Sequence, residues 1–407
     1  MGKYDDPNET GDISHFRALT TALSATVGTG NIGGVALAIF YGGPGAVFWM
    51  WLTGFLGMIN KYVECTLSLK YREVHEDGSV SGGPMYTIEK GLTSKFGGFA
   101  KFLAVFFAIG TLFCSIGTGN MAQSNSIADV LYTNYHIAKW ITGLGCATIV
   151  FLVIVGGIKR IAQVTSKLVP FMAVFYLSAA LIVILVNFTR LPEAFGLIFS
   201  GAFTTKGMVG GFLGSAFFLA MRYGVARGLF SNEAGQGSAA IAHAAAKTQY
   251  PAREGLVASV GPFIDTLMIC TMTALVIILT GVYKMDIEGA SMTAIAFSEG
   301  LGKIGIIGVG EHIVAIGLVL FAISTAISWS YYGDRAVVYL IGRKGVLTYR
   351  IIYCIFFFLG ANLTIKLVWQ FVDMVITFMT IPNLLSMLLL SGVVVTETKK
   401  YFNNKTG

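Results

Sequence analysis

Charge is what this chain has least of: Asp, Glu, Lys and Arg make up 12% of its 407 residues, about half the share a soluble domain carries. Over such a length that scarcity excludes an ordinary water-soluble surface and points to lipid as the solvent. The net charge of +7 comes from loop residues and forms no basic stripe, so nucleic acid is not an expected partner. The five cysteines all lie in apolar segments and make no C-x-x-C pair, which leaves no case for a disulfide framework or a metal cluster. H-E-x-x-H, G-x-S-x-G and any His/Cys ligand cluster are missing too, so an enzyme would have neither a metal nor an activated nucleophile. The N-terminus, MGKYDDPNETGDISHF, is polar and acidic and does not read as a signal peptide.

What the chain does have is apolar residues, 55%, a mean hydropathy of +0.72, and 50 glycines. A helix needs about 20 mostly apolar residues to cross the hydrocarbon core. Ten such spans are expected, near 16–41, 45–70, 99–131, 138–158, 165–189, 207–245, 256–283, 308–341, 349–365 and 367–395. Loops after even-numbered spans hold fourteen Lys and Arg against six after odd-numbered ones. Positive loops stay cytoplasmic, which puts both termini of this chain inside and the protein in the cell membrane as a multi-pass chain. VSGGPMYTIEKGL and LPEAFGLIFSGAF are expected as short interfacial helices. The organisation is then a cytoplasmic segment 1–15, one transmembrane domain 16–395, and a tail 396–407. The surrounding bilayer is the one partner the composition requires, and no oligomer is called for.

Within the first span, Gly28 to Gly33 reads GTGNIG and satisfies G-x-G-x-x-G. A dinucleotide site needs a strand before that motif and an acid about 20 residues on; FWMWLTG stands there, and the first acid is Glu64. Glycine in a helix costs about 1 kcal/mol relative to alanine, so a glycine cluster marks a place where regular helix is doubtful. The sixth span shows a second interruption, Gly224, Gly228, Gly235 and Gly237 among polar residues. Unwound backbone at membrane depth is tolerated where it is buried or lines a cavity. Two broken spans, first and sixth of ten, occupy matching places in two five-helix halves (16–189 and 207–395). That placement suggests a secondary transporter built on an inverted repeat. At such a break, free N–H groups suit a carboxylate and free carbonyls suit a sodium ion. The alternative use of the glycines is close helix packing.

ALSATVGTGNIGGVA, YGGPGAVFWMWLTGFLG, GLFSNEAGQGSAAIAHAAA and FIDTLMICTMTALVI resemble the alanine/glycine:cation symporters, or sodium:alanine symporters. Members of that family carry one more hydrophobic segment before the GTGN helix. The resemblance implies an all-α polytopic membrane protein with the LeuT-like 5+5 inverted repeat and discontinuous helices 1 and 6. It implies import of alanine or glycine with co-transported sodium, no organic cofactor, and proton coupling as the runner-up. A channel or a membrane enzyme are the more distant classes.

By that resemblance GTGN matches the GLGN of LeuT-like symporters, so amides around Gly28, Gly30 and Asn31 should hold the substrate carboxylate. Carbonyls of Ser24 and Val27 should meet hydroxyls of Ser324 and Thr325 in a sodium site, oxygen being what a hard cation wants; back-bonding within the helix is the plainer role for these hydroxyls. Gln123, in the polar run CSIGTGNMAQSNS, is a candidate for the substrate carboxylate or ammonium, or else for an interhelical hydrogen bond. Phe217, Phe218 and Met221 are candidate pocket walls, with Trp329 beside them. Intramembrane charges need a partner or a task. Glu64 pairs with Lys61 three residues away or serves a gate; Arg227, Glu233 and Asp265 are placed toward an inner gate, and Asp373 toward an outer one. His243 and His312 lie near span ends and give no case for a metal or a proton relay.

Overall fold

Lipid offers a backbone no external hydrogen-bond partner, so apolar segments must satisfy their N–H and C=O groups internally. The computed structural model, which describes residues 9–203 and 213–403, is accordingly helical, with one two-stranded hairpin pairing Glu73–Val74 with Val80–Ser81.

The first segment is split into α1, His15–Thr26, and α2, Val35–Gly42, with a π-helical stretch Gly30–Gly34 between them and a bend of 54°. The second is α3, Ala46–Lys70, followed by the short α4, Pro84–Phe96. The third joins α5, Gly98–Ile116, to α6, Ala122–Tyr135, through a π stretch at Gly117–Met121. Then come α7, Lys139–Ile154, α8, Gly157–Val186, and the short α9, Leu191–Phe203. The sixth segment is α10, Leu213–Asn232, and α11, Ser238–His243. The seventh runs from α12, Pro251–Pro262, through a π stretch Phe263–Cys270 into α13, Thr271–Thr280. The chain ends with α14, Gly289–Gly302, α15, Val309–Ile341, α16, Val346–Asn362, α17, Ile365–Leu389, and α18, Ser391–Asn403.

Each of the ten expected spans has a helix or helix pair in its place, and α4 and α9 fall where short interfacial helices were expected. Some boundaries differ. The fifth helix starts at Gly157 rather than near 165, because Gly157 takes a φ of +65° and turns the chain early. The tenth stops at Leu389, and α18 folds back so that Lys70 Nζ meets Glu397 Oε1 at 2.6 Å. Helix α14 was read as loop.

The helices wear their apolar side outward. On α5, Phe99, Phe102, Phe106, Ile109 and Phe113 form an exposed stripe at helical spacing, while Ala100, Ala104, Ala108 and Thr111 face inward. Small residues inside let backbones approach where no hydrophobic drive separates helix from lipid. The long α15 runs through the middle, burying Trp329, Tyr331 and Tyr332 completely. Both described ends of the chain lie on one face, where Ile13 bridges Ala246 and α18 packs on α3 and α12.

Candidate functional site

The break in the first segment is built from its own short polar residues. Helix α1 stops at Val27, whose ψ of 91° leaves the helical region. The Gly28 N–H is then capped by Asn31 Oδ1 at 2.8 Å, and the Asn31 N–H returns to Gly28 O at 3.2 Å. The other end of that amide leaves the segment. Asn31 Nδ2 donates to Asp265 Oδ1 at 2.6 Å and to Ser231 Oγ at 3.1 Å, and approaches Cys270 Sγ at 3.3 Å. A buried carboxylate is costly unless its lone pairs are satisfied. Asp265, fully buried, also accepts from Ser231 Oγ at 2.7 Å and Thr266 Oγ1 at 2.8 Å. The π stretch explains how Asp265 and Cys270 reach one partner. Pro262 has no N–H to give and disturbs the α-helical register, and i→i+5 bonding brings residues five apart onto one face.

On the other side of the break, α1 meets α15. Ser24 Oγ donates to Ser324 O at 2.7 Å, and Thr325 Oγ1 donates to Val27 O at 3.3 Å. Ser324 Oγ lies 3.4 Å from Ser24 O and also back-bonds to Phe321 O at 2.8 Å. All four residues are at most 2% exposed. Oxygens from 300 residues apart in sequence therefore converge in a dry spot at the carbonyl end of α1.

The break in the sixth segment comes later than its first glycines suggested. Helix α10 runs unbroken through Gly224 and Gly228, where a Cβ would lie 2.3 Å from Ala46 O and 2.1 Å from Thr53 Oγ1. Those two glycines serve close packing on α3. The chain turns at Glu233, Gly235 and Gly237, with φ of 54°, 83° and 81°. The amides freed there are met from α3: Glu64 Oε2 accepts from Gly235 N and Gly237 N, each at 3.2 Å, and from Asn383 Nδ2 at 3.0 Å. Lys61 Nζ stands 3.5 Å from Glu64 Oε1 and donates to Glu233 O at 3.3 Å. Glu233 itself accepts from Trp329 Nε1 at 3.0 Å and Ser238 Oγ at 2.5 Å.

The α5–α6 segment and α15 close the site. Gln123 Oε1 accepts from the Thr29 N–H at 3.4 Å while its Nε2 donates to Thr118 O at 3.0 Å. The second GTGN, Gly117 to Asn120, forms a π turn whose Gly119 leaves room for Trp329: a Cβ there would lie 2.1 Å from Trp329 Cβ. From the face remote from the termini, a cavity of about 270 Å³ lined by Asp129, Glu288, Ser291 and Leu318 reaches Thr29 and Gly33.

Most of the expected residues thus meet: Ser24, Val27, Gly28, Gly30, Asn31, Gln123, Ser324 and Thr325 surround the first break, while Trp329 stands one turn further along α15, against Gly119 and Glu233. Others move. Phe217 lies edge-on to Trp49 at 5.7 Å and Phe218 is 58% exposed; at 1.5 Å per residue they stand roughly 20 Å up α10 from Ser231, with Met221 one turn on. These three do not wall the break, because the helix continues past them. The aromatic that does so is Phe230, whose ring would be 3.1 Å from a Cβ on Gly30. Of the residues expected toward an inner gate, Asp265 and Glu233 lie at the two breaks, while Arg227 lies on the side away from the termini, near Tyr41 and one turn from Tyr223, which stacks on Tyr41 at 4.9 Å. Glu64 caps the sixth-segment break. The side chain of Asp373 lies outside the described residues. Ser231 was missed, as was Thr293 of α14, whose hydroxyl donates to Ile32 O at 3.0 Å. A lone Ser or Thr carries no sequence signal of its own.

Two discontinuous helices meeting at mid-bundle, with converged oxygens and a cavity open to one face, define the class of secondary transporter. The chain belongs to the sodium:alanine symporter family, whose profile matches residues 1–407. It is a cation-coupled amino acid symporter and not an enzyme. It is 48% identical over 405 residues to the sodium/alanine symporter AgcS of Methanococcus maripaludis, covering 98% of this chain and 87% of that one. It is 36% identical to the probable sodium/glutamine symporter GlnT of Bacillus subtilis, covering 97% and 79%. Among solved structures it resembles MhsT in complex with L-phenylalanine, with a TM-score of 0.60 at 12% identity over 96% of this chain and 100% of the other. That likeness shows the fold: LeuT-like, with the first and sixth helices discontinuous.

Proposed function

We propose that this chain imports small neutral amino acids, alanine or glycine, together with sodium by alternating access, from a cell membrane in which both termini are cytoplasmic. The observation that carries the reading is the convergence of Thr325 Oγ1 on Val27 O and of Ser24 with Ser324. Sodium, as cargo, takes the carbonyls of Ser24 and Val27 and the hydroxyls of Ser324 and Thr325. The substrate carboxylate takes backbone N–H groups at the first break, and since those of Gly28 and Asn31 are used within it, Thr29 and Gly30 are the donors. Gln123 gives up its bond to Thr29 when the carboxylate arrives. Phe230 and Trp329 bound the side-chain end, leaving space for a small residue. Sodium fixes the end of α1 and so orders the amides beyond it, and by linkage the amino acid tightens sodium equally. The closed face is the one bearing the termini, and the cavity down to Thr29 is the route from outside.

Alanine binding to purified protein with and without sodium tests this, comparing wild type with Thr325→Ala. Sodium-dependent binding that weakens in the variant supports the reading. Binding that ignores sodium and follows pH transfers the coupling to protons, and absence of alanine binding overturns the substrate.

A further inference from the structure

On the face that carries the termini, one buried carboxylate holds the two broken segments together. Glu254, in the first turn of α12, is 0% exposed, and each of its oxygens meets a histidine. Oε1 accepts from His243 Nδ1 at 2.5 Å, and Oε2 from His15 Nδ1. His15 opens α1 and His243 closes α11, so the bonds join the outer end of one half-helix to that of the other. A second clamp lies in the same layer. Arg72, just beyond α3, donates to the carbonyls of Thr10, Ala244, Ala246 and Thr248 at 2.7–2.9 Å. Between the two strands of chain, the Asp12 and Ile13 N–H groups donate to Ala245 O at 2.8 and 3.1 Å, and the Lys247 N–H donates to Ile13 O at 2.8 Å.

The clamps differ in one respect. Arginine keeps its charge at any working pH, whereas imidazole changes charge between about pH 5 and 8. A carboxylate ion between two neutral imidazoles is a negative charge sealed from water, while one imidazolium makes the cluster neutral. The other charged or titratable groups around it are Arg72 and Cys65 from α3, Glu9 and Asp12 from the segment before α1, and Arg253 on α12 itself, 3.7 Å from Glu9. Of these, Arg72 is a fixed positive charge beside Glu254 while it donates to carbonyls, and Arg253 pairs with Glu9; the histidines are the members of the cluster whose charge changes in this pH range.

We propose that His15, Glu254 and His243 form a proton-dependent latch that keeps the termini-side mouth closed, tight while at least one imidazole is protonated and loosened when both are neutral. The latch rests on the alternating-access reading above, since it acts on the mouth that reading opens. Releasing Glu254 frees α1 and α11 at the ends farthest from the breaks, where a small tilt opens the widest path.

Hydrogen exchange of the full chain in lipid nanodiscs, without substrate and corrected for the intrinsic rate, reads the latch directly. In wild type, protection of residues 10–26 and 238–248 should fall by about tenfold between about pH 5.5 and 8, while α5 and α16 stay constant. His15→Gln and His243→Gln each keep an N–H for Glu254 but cannot titrate; each single variant leaves one imidazole and should shift the step, and the double variant should abolish it. A wild type with no step confined to these segments, or a step that survives in the double variant, overturns the latch. Should the double variant aggregate, a step left unmoved in both single variants overturns it instead. A failure of sodium-dependent alanine binding is a separate result and overturns the transport reading instead.

Discussion

Asn31 and Asp265 are joined by a 2.6 Å hydrogen bond, side-chain amide to carboxylate. Through it the break in the first segment is fixed to the π stretch of the seventh, and Asn31 Oδ1 simultaneously caps Gly28. One short side chain therefore sets the shape of the amide-lined turn and shares in satisfying the charge of Asp265. Removing it leaves a buried carboxylate short of a donor, at a cost of about 1–3 kcal/mol. Asn31→Ala should lower thermal stability by that amount and abolish alanine binding. Equal stability with intact binding would show that the link is dispensable.

Thr325 offers a sharper test of the cation site. Thr325→Ser keeps the hydroxyl and should keep sodium affinity within a few fold. Thr325→Val keeps the shape and loses the oxygen, and should weaken sodium about tenfold to a hundredfold, the equivalent of about 1–3 kcal/mol. Sodium titration of alanine binding distinguishes the two; equal loss in both would point to packing.

Lys61, Glu64 and the sixth-segment break form a unit. Glu64→Gln retains an acceptor for Gly235 and Gly237 but leaves Lys61 without its carboxylate, and breaking one side of a buried pair costs about 3–5 kcal/mol. Lys61→Met combined with Glu64→Gln should recover much of the loss. A double-mutant cycle on the unfolding midpoint measures it, and simple additivity would deny the pairing.

Phe230 and Phe218 separate the observed pocket wall from the one expected from sequence. Phe230→Leu should alter alanine affinity severalfold, whereas Phe218→Leu, on the outward face of α10, should leave it unchanged. The opposite pattern would place the substrate along α10 and away from the breaks.

Asp12 supplies a pH dependence outside the membrane. Burial is the dominant influence and pushes its carboxyl above the usual aspartate range, against the Val80 N–H and the charges of Arg335 and Lys159. A raised folded-state value means the folded form holds the proton more tightly, so this group favours folding below its unfolded pKa and loses that contribution as pH rises through the folded one. Asp12→Asn keeps an acceptor for Val80 and should raise the midpoint of unfolding at neutral pH while flattening its slope in mild acid. A lower midpoint at neutral pH would show that the ionised carboxylate is stabilising.

Much of the bundle is legible in the sequence because hydropathy and glycine clusters act locally. The first break follows from Gly28 to Gly34, and Ser24, Val27, Ser324 and Thr325 were identified by resemblance before their oxygens were seen to converge. The sixth-segment break was placed too widely, since Gly224 and Gly228 look the same in sequence as Gly235 and Gly237. The first pair packs on α3 within unbroken helix, and only the second takes a left-handed φ.

What the sequence determined by itself is the solvent, the spans and the places where helix is expensive, all properties of short windows. What only the tertiary structure decided is which polar groups satisfy one another: Asn31 with Asp265, Glu64 with Gly235 and Gly237, Glu254 with His15 and His243. In an interior without water each such group must find its partner across the bundle, and the partner's position depends on how whole helices pack, tilt and slip into π register. That information is spread over the chain and becomes visible only where the helices meet.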